Sequence, residues 1–418
     1  MLAKIKPHTM GGVIKAIPSK SYAHRIMLCA MLSNMQTQIV GNYESKDMEA
    51  TLSCIKALGC KVNVQNGVLY LSKEKKMQDE IILDCIESGS TVRFILPIVA
   101  ALGVEAKVIG KEGLQKRPLK DLIDVLKEHG EYIDSDFLPI VMKGKIKPGE
   151  YRIRGDVSSQ YITGLLLALP ILEGDSEIVI EGELVSKKYI DITLDVQKEF
   201  GIQIEQTNSG FKVKGNQRYI APKKIVVQGD WSNAAFWLSL GAINNDIEIS
   251  GLSLDTQQGD REILQILMGM GAKVQIMNDV ISVKKSKLNA TTIDMQNIPD
   301  LAPIVSILMA SAEGISVMKN VDRLRIKETD RLAAIIETLQ KMGVKCRYQN
   351  NELSILGGDK LCAFSNGAYN DHRMVMTQAI AASVAKGECV IEGVEAKDKS
   401  YPSFFVDYKA LGGDVYVK

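Results

Sequence analysis

At 418 residues the chain is too long for one ordinary core, so two domains are expected. Its 46% hydrophobic and 24% charged content is that of a globular protein, and 51 basic against 50 acidic residues lack the basic excess of a nucleic-acid binder. The seven Cys (29, 54, 60, 85, 346, 362, 389) form no CxxC and the four His (8, 24, 129, 372) no metal-ligand pair, so reduced core thiols, a cytoplasmic location and neither metal nor cofactor are expected.

The opening Met1-Leu2-Ala3-Lys4-Ile5-Lys6 lacks the apolar core of a signal peptide. Pro18 ends an extended segment, because its ring fixes φ and removes a donor. Ser19 or Ser21 then caps a helix that runs on through Ile26, Met27, Leu28 and Ala30. Lys20, Ser21 and Arg25 fall on its first turns, where free N–H groups favour an anion. A solvated helix start with ordinary surface charges reads the same way, but that reading weakens as the design recurs. Further helices start near Ser88, Ser158, Trp231, Asp300 and Asp371, and Thr163-Gly164-Leu165-Leu166-Leu167-Ala168-Leu169 illustrates why they should be buried. Caps of Ser, Asp and Asn are expected at any helix start. Lys20, Arg93 and Arg373 instead oppose the helix dipole, so each calls for an anion or a carboxylate. Lys116-Arg117-Pro118 adds cations beside a proline, as does Asp398-Lys399-Ser400-Tyr401-Pro402.

A second set of helices ends at Gly59, Gly130, Gly201, Gly271, Gly343 and Gly412, spaced by 71, 71, 70, 72 and 69 residues. Gly there fits a helix end that needs a left-handed residue. Ile178-Val179-Ile180 suits a strand covered on both faces, and Phe211-Lys212-Val213-Lys214 one with a wet face. Arg325-Ile326-Lys327-Glu328-Thr329-Asp330-Arg331 is expected to open a helix, with Lys327 and Arg331 at i, i+4 on one face and Glu328 and Asp330 as available counter-charges. The apolar runs, such as 165–169, are too short to span a bilayer. No GxxxxGK loop occurs, which excludes a P-loop NTPase. The period predicts six copies of one α/β unit, three to a domain.

Several stretches together resemble the 3-phosphoshikimate 1-carboxyvinyltransferase (EPSP synthase) family. They are Ser19-Lys20-Ser21-x-x-x-Arg25, Arg117-Pro118, Ser158-Ser159-Gln160, Ser186-x-x-Tyr189, Ile298-Pro299-Asp300, Lys327-Glu328-Thr329-Asp330-Arg331, Asn370-Asp371-His372-Arg373 and Lys399. The match runs in order over essentially the whole chain. It implies a two-domain inside-out α/β barrel of six βαβαββ units, with the active site in the interdomain cleft. The domains would be 19–228, inserted, and 1–18 with 229–418.

The resemblance also implies the reaction. The enolpyruvyl group of phosphoenolpyruvate passes to the 5-hydroxyl of shikimate 3-phosphate and phosphate leaves, a step toward chorismate and aromatic amino acids. Lys20, Ser21, Arg25, Ser158, Ser159, Gln160, Ser186, Tyr189, Asp300 and Lys327 would hold shikimate 3-phosphate. Lys20, Gly89, Arg117, Gln160, Arg331, His372, Arg373 and Lys399 would hold phosphoenolpyruvate. Two anionic substrates need such cations, with Arg forks suited to carboxylate and phosphate. The addition needs a base at the 5-hydroxyl and an acid at the methylene carbon. Asp300 is taken as base and Glu328 as acid, with Lys20 stabilising developing charge. A monomer is expected, with no nucleic acid or membrane partner.

Two positions depart from the family pattern. Glu87 stands where Asn is frequent, and Arg323 where Asn is frequent, which leaves glyphosate sensitivity open. The sister UDP-N-acetylglucosamine enolpyruvyltransferase uses a loop Cys where this chain has Glu112, five residues before Arg117, and no Cys lies between Cys85 and Cys346. An RNA-terminal phosphate cyclase-like protein shares related repeats, but the neutral charge and the missing nucleotide motif count against it. The complete set of matched cations and carboxylates argues against a catalytically dead binding module.

Overall fold

The structure, a computed structural model, describes residues 1–33, 35–41, 44–73 and 80–418. The chain forms two compact units: Pro18–Val227, and Met1–Ile17 together with Gln228–Lys418.

Pro18–Val227 holds three four-stranded sheets over its own apolar core. One sheet shows the repeat. Ile82–Asp84 pairs parallel with Ala106–Ile109, which pairs antiparallel with Ile140–Gly144, and Glu131–Ile133 closes the far edge. The helix Gly89–Leu102 joins the first two strands and Lys120–Glu128 precedes the third, giving βαβαββ. The sheet that starts at Glu150–Arg154 repeats this order. The remaining sheet takes its first strand from the unit's other end, because Lys224–Val226 lies parallel to Thr37–Val40.

The second unit also holds three four-stranded sheets over a separate core. The sheet that begins at Thr292–Asp294 is continuous in sequence. The other two are completed by the first residues of the chain. Gly12–Lys15 runs parallel to Ile247–Ser250, and Leu2–Lys6 inserts between Cys389–Glu392 and Asp414–Val417. Among the described residues there are thus six βαβαββ units, three in each compact unit, as expected.

The two helix sets differ as the sequence predicts. Helices apolar all round are buried all round. In Gly89–Leu102 only Ser90 and Leu102 escape burial, in Ser159–Ala168 only Gln160, and in His372–Ala382 nothing does. The helices of the other set end at residues followed by Gly59, Gly130, Gly201, Gly271, Gly343 and Gly412, whose φ values are 87, 105, 76, 91, 79 and 92°. A side chain there would cost roughly 1–2 kcal/mol.

Four expectations need correction. In Ser176–Glu181 only alternate residues are fully covered, so Val179 and Ile180 are half-buried, not enclosed on both faces. Cys362 is exposed and Cys346 half-buried, so neither is a core thiol, although none of the seven Cys is in a disulfide. Arg325–Arg331 does not open one helix. A 3-10 turn, Asp322–Ile326, ends in extended backbone at Lys327, and the α-helix Arg331–Lys341 starts afresh after Asp330, whose side chain accepts from Ala333 N. Asp300 does not cap its helix, because Ala302–Ser311 begins two residues later with no side-chain cap. No described helix is long and apolar enough to cross a membrane.

Candidate active site

In Pro18–Val227 side-chain contacts tie together the starts of the buried helices. Ser19 caps Lys20–Leu32, and Ser21 offers its carbonyl to Arg25 Nη1 at 2.8 Å. Lys20 Nζ meets Asp47 Oδ2 at 2.6 Å, so the Lys that opposes its helix dipole has its carboxylate. Arg25 is 2% exposed and donates to Thr193 Oγ1 at 2.8 Å, Tyr189 O at 2.9 Å and Thr163 Oγ1 at 3.4 Å. These acceptors are neutral, and among the described residues no carboxylate pairs with it. Burial lowers its pKa to about 10. A buried charge normally calls for a counter-ion, and an anionic ligand would supply one.

Gly89 opens the neighbouring helix. A Cβ there would lie 2.8 Å from Arg117 Cζ and 3.0 Å from Arg93 Nη1, so only Gly lets both guanidiniums approach this helix start. Arg93 Nη1 donates to Gln160 Oε1 at 2.7 Å, and Gln160 Nε2 donates to Ser90 Oγ at 2.9 Å. Ser158 caps the Gln160 helix and Ser159 is buried on its first turn. Ser186 sits at φ 55° just before Lys187–Glu199, and its carbonyl accepts from Tyr189 N at 3.0 Å. Lys20, Ser21, Arg25, Gly89, Arg117, Ser158, Ser159, Gln160, Ser186 and Tyr189 therefore all lie at or beside helix starts of this unit.

The second unit gathers the remaining candidates around one carboxylate. Asp300 Oδ1 accepts from Arg331 Nη1 at 3.1 Å and Lys327 Nζ at 3.4 Å, and Oδ2 accepts from Arg373 Nη2 at 2.8 Å. Freed from capping, Asp300 meets three cations. Lys327 and Arg331 reach it from a bend and a helix start, not from one helical face. Arg331 is fully buried, and it also donates to Glu328 Oε2 and, at 2.9 Å, to Asp371 Oδ2. Burial pulls its pKa down, but Asp371, Glu328 and Asp300 outweigh that and raise it. For Lys327 burial wins over Asp300, and its pKa is lowered. Asp371 Oδ1 also caps the helix of His372 and Arg373 by accepting from Arg373 N at 2.8 Å. The His372 ring is buried, its Nδ1 3.9 Å from Asp371 Oδ1. Lys399 Nζ donates to Asn370 O at 2.8 Å, which puts it beside the same helix start.

Asp47, Arg93 and Asp371 belong to these constellations but were not among the sequence-predicted site residues. Arg93 carried a signal, its clash with the helix dipole. Asp47 and Asp371 did not, since acids at helix starts are ordinary. Glu87 reaches over Gly113, and Arg323 lies within electrostatic range of Lys327. Among the described residues no group of three or more His, Cys, Asp and Glu is placed to hold a metal ion.

Comparison with known proteins bears on the family and the fold. Residues 5–407 match the model of the family described as EPSP synthase (3-phosphoshikimate 1-carboxyvinyltransferase). A 3-phosphoshikimate 1-carboxyvinyltransferase of Clostridium kluyveri is 40% identical over 417 residues, covering 98% of this chain and 97% of the relative. One of Clostridium perfringens is 39% identical over 415 residues, covering 98% of each. The solved EPSP synthase of Acinetobacter baumannii shares the fold, with a TM-score of 0.83 over 100% of both chains at 22% identity. With a family model spanning nearly the whole chain and relatives at this identity, the chain belongs to the EPSP synthase family.

Proposed function

We propose that this enzyme transfers the enolpyruvyl group of phosphoenolpyruvate to the 5-hydroxyl of shikimate 3-phosphate and releases phosphate, as a step of the shikimate pathway. The observation that best supports the residue roles is Asp300, a carboxylate met by Lys327, Arg331 and Arg373 with Glu328 on the same Arg331. Arg331, Arg373, His372 and Lys399, with Lys20, Gly89, Arg117 and Gln160, take phosphoenolpyruvate. Lys20, Ser21, Arg25, Ser158, Ser159, Gln160, Ser186, Tyr189, Asp300 and Lys327 take shikimate 3-phosphate. The two compact units are read as the two domains, and both contribute to one reaction.

When phosphoenolpyruvate offers its anions to Arg331 and Arg373, those cations loosen from Asp300. The carboxylate then accepts the 5-hydroxyl proton. The 5-oxygen bonds to the phosphate-bearing carbon, and Glu328 gives a proton to the methylene carbon. Elimination then breaks the bond to phosphate, which leaves with the proton Asp300 took up, while the methyl carbon gives its added proton back to Glu328. Lys20 stabilises charge as it develops. The enzyme is read as a cytoplasmic monomer without a nucleic-acid partner, in keeping with its near-zero net charge. Phosphate release from purified protein, shikimate 3-phosphate and phosphoenolpyruvate tests the reading. No release across neutral pH, without added metal, would sink it.

A further inference from the structure

A second carboxylate, which the reaction as described does not use, lies where the turn Gly259–Glu262 packs on the helix Trp231–Ile243, itself packed on Ala302–Ser311 and His372–Ala382, the helices next to Asp300 and bearing Arg373. Asp260 sits on the 3-10 turn Gly259–Glu262 and is 3% exposed. Its Oδ2 accepts from the hydroxyl of Ser232, on the first turn of the helix Trp231–Ile243. Its Oδ1 is buried with no hydrogen-bond partner among the described residues. The neighbouring Gln258 fixes the turn, since its Oε1 accepts from Trp231 N at 3.1 Å and its Nε2 donates to Gly229 O at 2.8 Å. The charged groups that act on Asp260 are Asp300, from the segment before Ala302–Ser311, Arg373, from His372–Ala382, and Asp230, from the cap of Trp231–Ile243. Arg261 on the same turn instead donates to Leu254 O.

A buried carboxylate with one orphaned oxygen is a costly feature, and its cost needs a reason. Asp260 and Asp300 carry like charge within electrostatic reach, and both feel Arg373. Two carboxylates so placed titrate as a pair, and each ionised member makes the other hold a proton more readily. We propose that Asp260 is a positioning residue that, when ionised, opposes Asp300 and sharpens it as a proton acceptor. The inference rests on Asp300 as the base of the reaction. Burial first, and then Asp300, raise the Asp260 pKa to about 6, with Arg373 and Ser232 working against the rise.

The coupling is tested first without substrates, by following carbon-13-labelled aspartate side chains through a pH titration by NMR. One carboxyl should titrate near pH 6 and disappear in Asp260→Asn. Asp300→Asn should lower its midpoint by removing the like charge, and Ser232→Ala should raise it by removing a donor to the ionised form. A midpoint indifferent to Asp300→Asn would overturn the proposal, whether or not the enzyme acts on shikimate 3-phosphate. The second arm is turnover by phosphate release. The wild type should lose activity in two steps on the acid side. Asp260→Asn should lack the upper step and show a plateau kcat lower by roughly 3–10-fold, as for a weakened general base. Ser232→Ala keeps the proposal testable if Asp260→Asn fails to fold, since it should move the upper step to higher pH. Acid limbs that superimpose in wild type and both variants would refute the role. A wild type with no turnover would instead refute the proposed reaction and leave the titration to judge the coupling.

Discussion

Gly89 and Glu328 separate binding from chemistry at single residues. A methyl group at Gly89 would run into the Arg117 guanidinium and crowd Arg93. Gly89→Ala should therefore raise the KM for phosphoenolpyruvate and leave that for shikimate 3-phosphate nearly unchanged. Equal increases in steady-state kinetics would show that Gly89 serves another purpose. Glu328 accepts from the buried Arg331, so a purely electrostatic role is open to it. If it only balances Arg331, Glu328→Gln should hold or tighten anionic ligands and cost little turnover. As the proton donor to the methylene carbon, its loss should cut kcat by about 10²–10⁴. Shikimate 3-phosphate affinity should then stay within a few-fold. Wild type in heavy water should also label the methylene of recovered phosphoenolpyruvate far faster than the variant. Near-normal turnover and exchange in Glu328→Gln would remove it from the mechanism.

At the scale of elements, one chain of side chains binds three helix starts. His24 Nδ1 lies 2.7 Å from Thr51 Oγ1, Thr51 lies 2.7 Å from Thr91 Oγ1, and Thr91 donates to Ser88 Oγ at 2.8 Å. His24 is 1% exposed, and burial, then Lys20 and Arg25, push its pKa well below 6.5. The folded protein keeps it neutral while the unfolded chain takes up a proton. The stability that depends on this neutral ring is thus whole above about pH 6.5 and is lost as pH falls from there toward the depressed folded value. His24→Asn can still reach Thr51 and does not titrate. Urea unfolding across this range should therefore show a flatter fall of stability with acid than wild type, and an unchanged slope would exclude His24 as the source. How much of this was legible depends on the element. The buried helices and the glycine-ended ones were, because continuous apolarity and a required positive φ each leave a residue-type signature. Other left-handed residues left none: Ile86, Ser186 and Tyr369 stand at φ 51, 55 and 56°, each just before a helix that carries site residues. Such strain survives only where the surroundings impose it. Lys327 was misplaced on a helix for a related reason, since charge spacing alone does not reveal that Asp330 caps afresh. Asp47 and Asp371 looked like routine helix-start acids until their partners Lys20 and Arg331 were seen.

For the whole molecule, the division of strands decides which piece can fold alone. Every described strand of the three sheets in Pro18–Val227 comes from within that unit, down to Lys224–Val226 beside Thr37–Val40. Its core is likewise its own. The other unit depends on residues 1–17. Leu2–Lys6 is an interior strand between Cys389–Glu392 and Asp414–Val417, and Ala3, Ile5 and Met10 are 0% exposed in that core. Losing it would strip Asp414–Val417 of its partner and expose side chains worth roughly 1.5–3 kcal/mol each for Ile and Met. A domain with a net stability of about 5–15 kcal/mol cannot readily absorb that together with two ladders of backbone bonds. Fragment 18–227 should therefore unfold cooperatively in urea by circular dichroism, whereas fragment 228–418 should show no cooperative transition. The same geometry supplies the remedy. Leu2 N donates to Lys418 O and Lys418 N to Leu2 O, both at 2.8 Å, so a short turn can join Lys418 to Met1 as a hairpin. A chain running 228–418, turn, 1–17 should regain the cooperative transition that 228–418 lacks. If 228–418 unfolds as cooperatively as this permuted chain, the opening strands are ornament to a unit that is already complete, and the argument from strand supply fails.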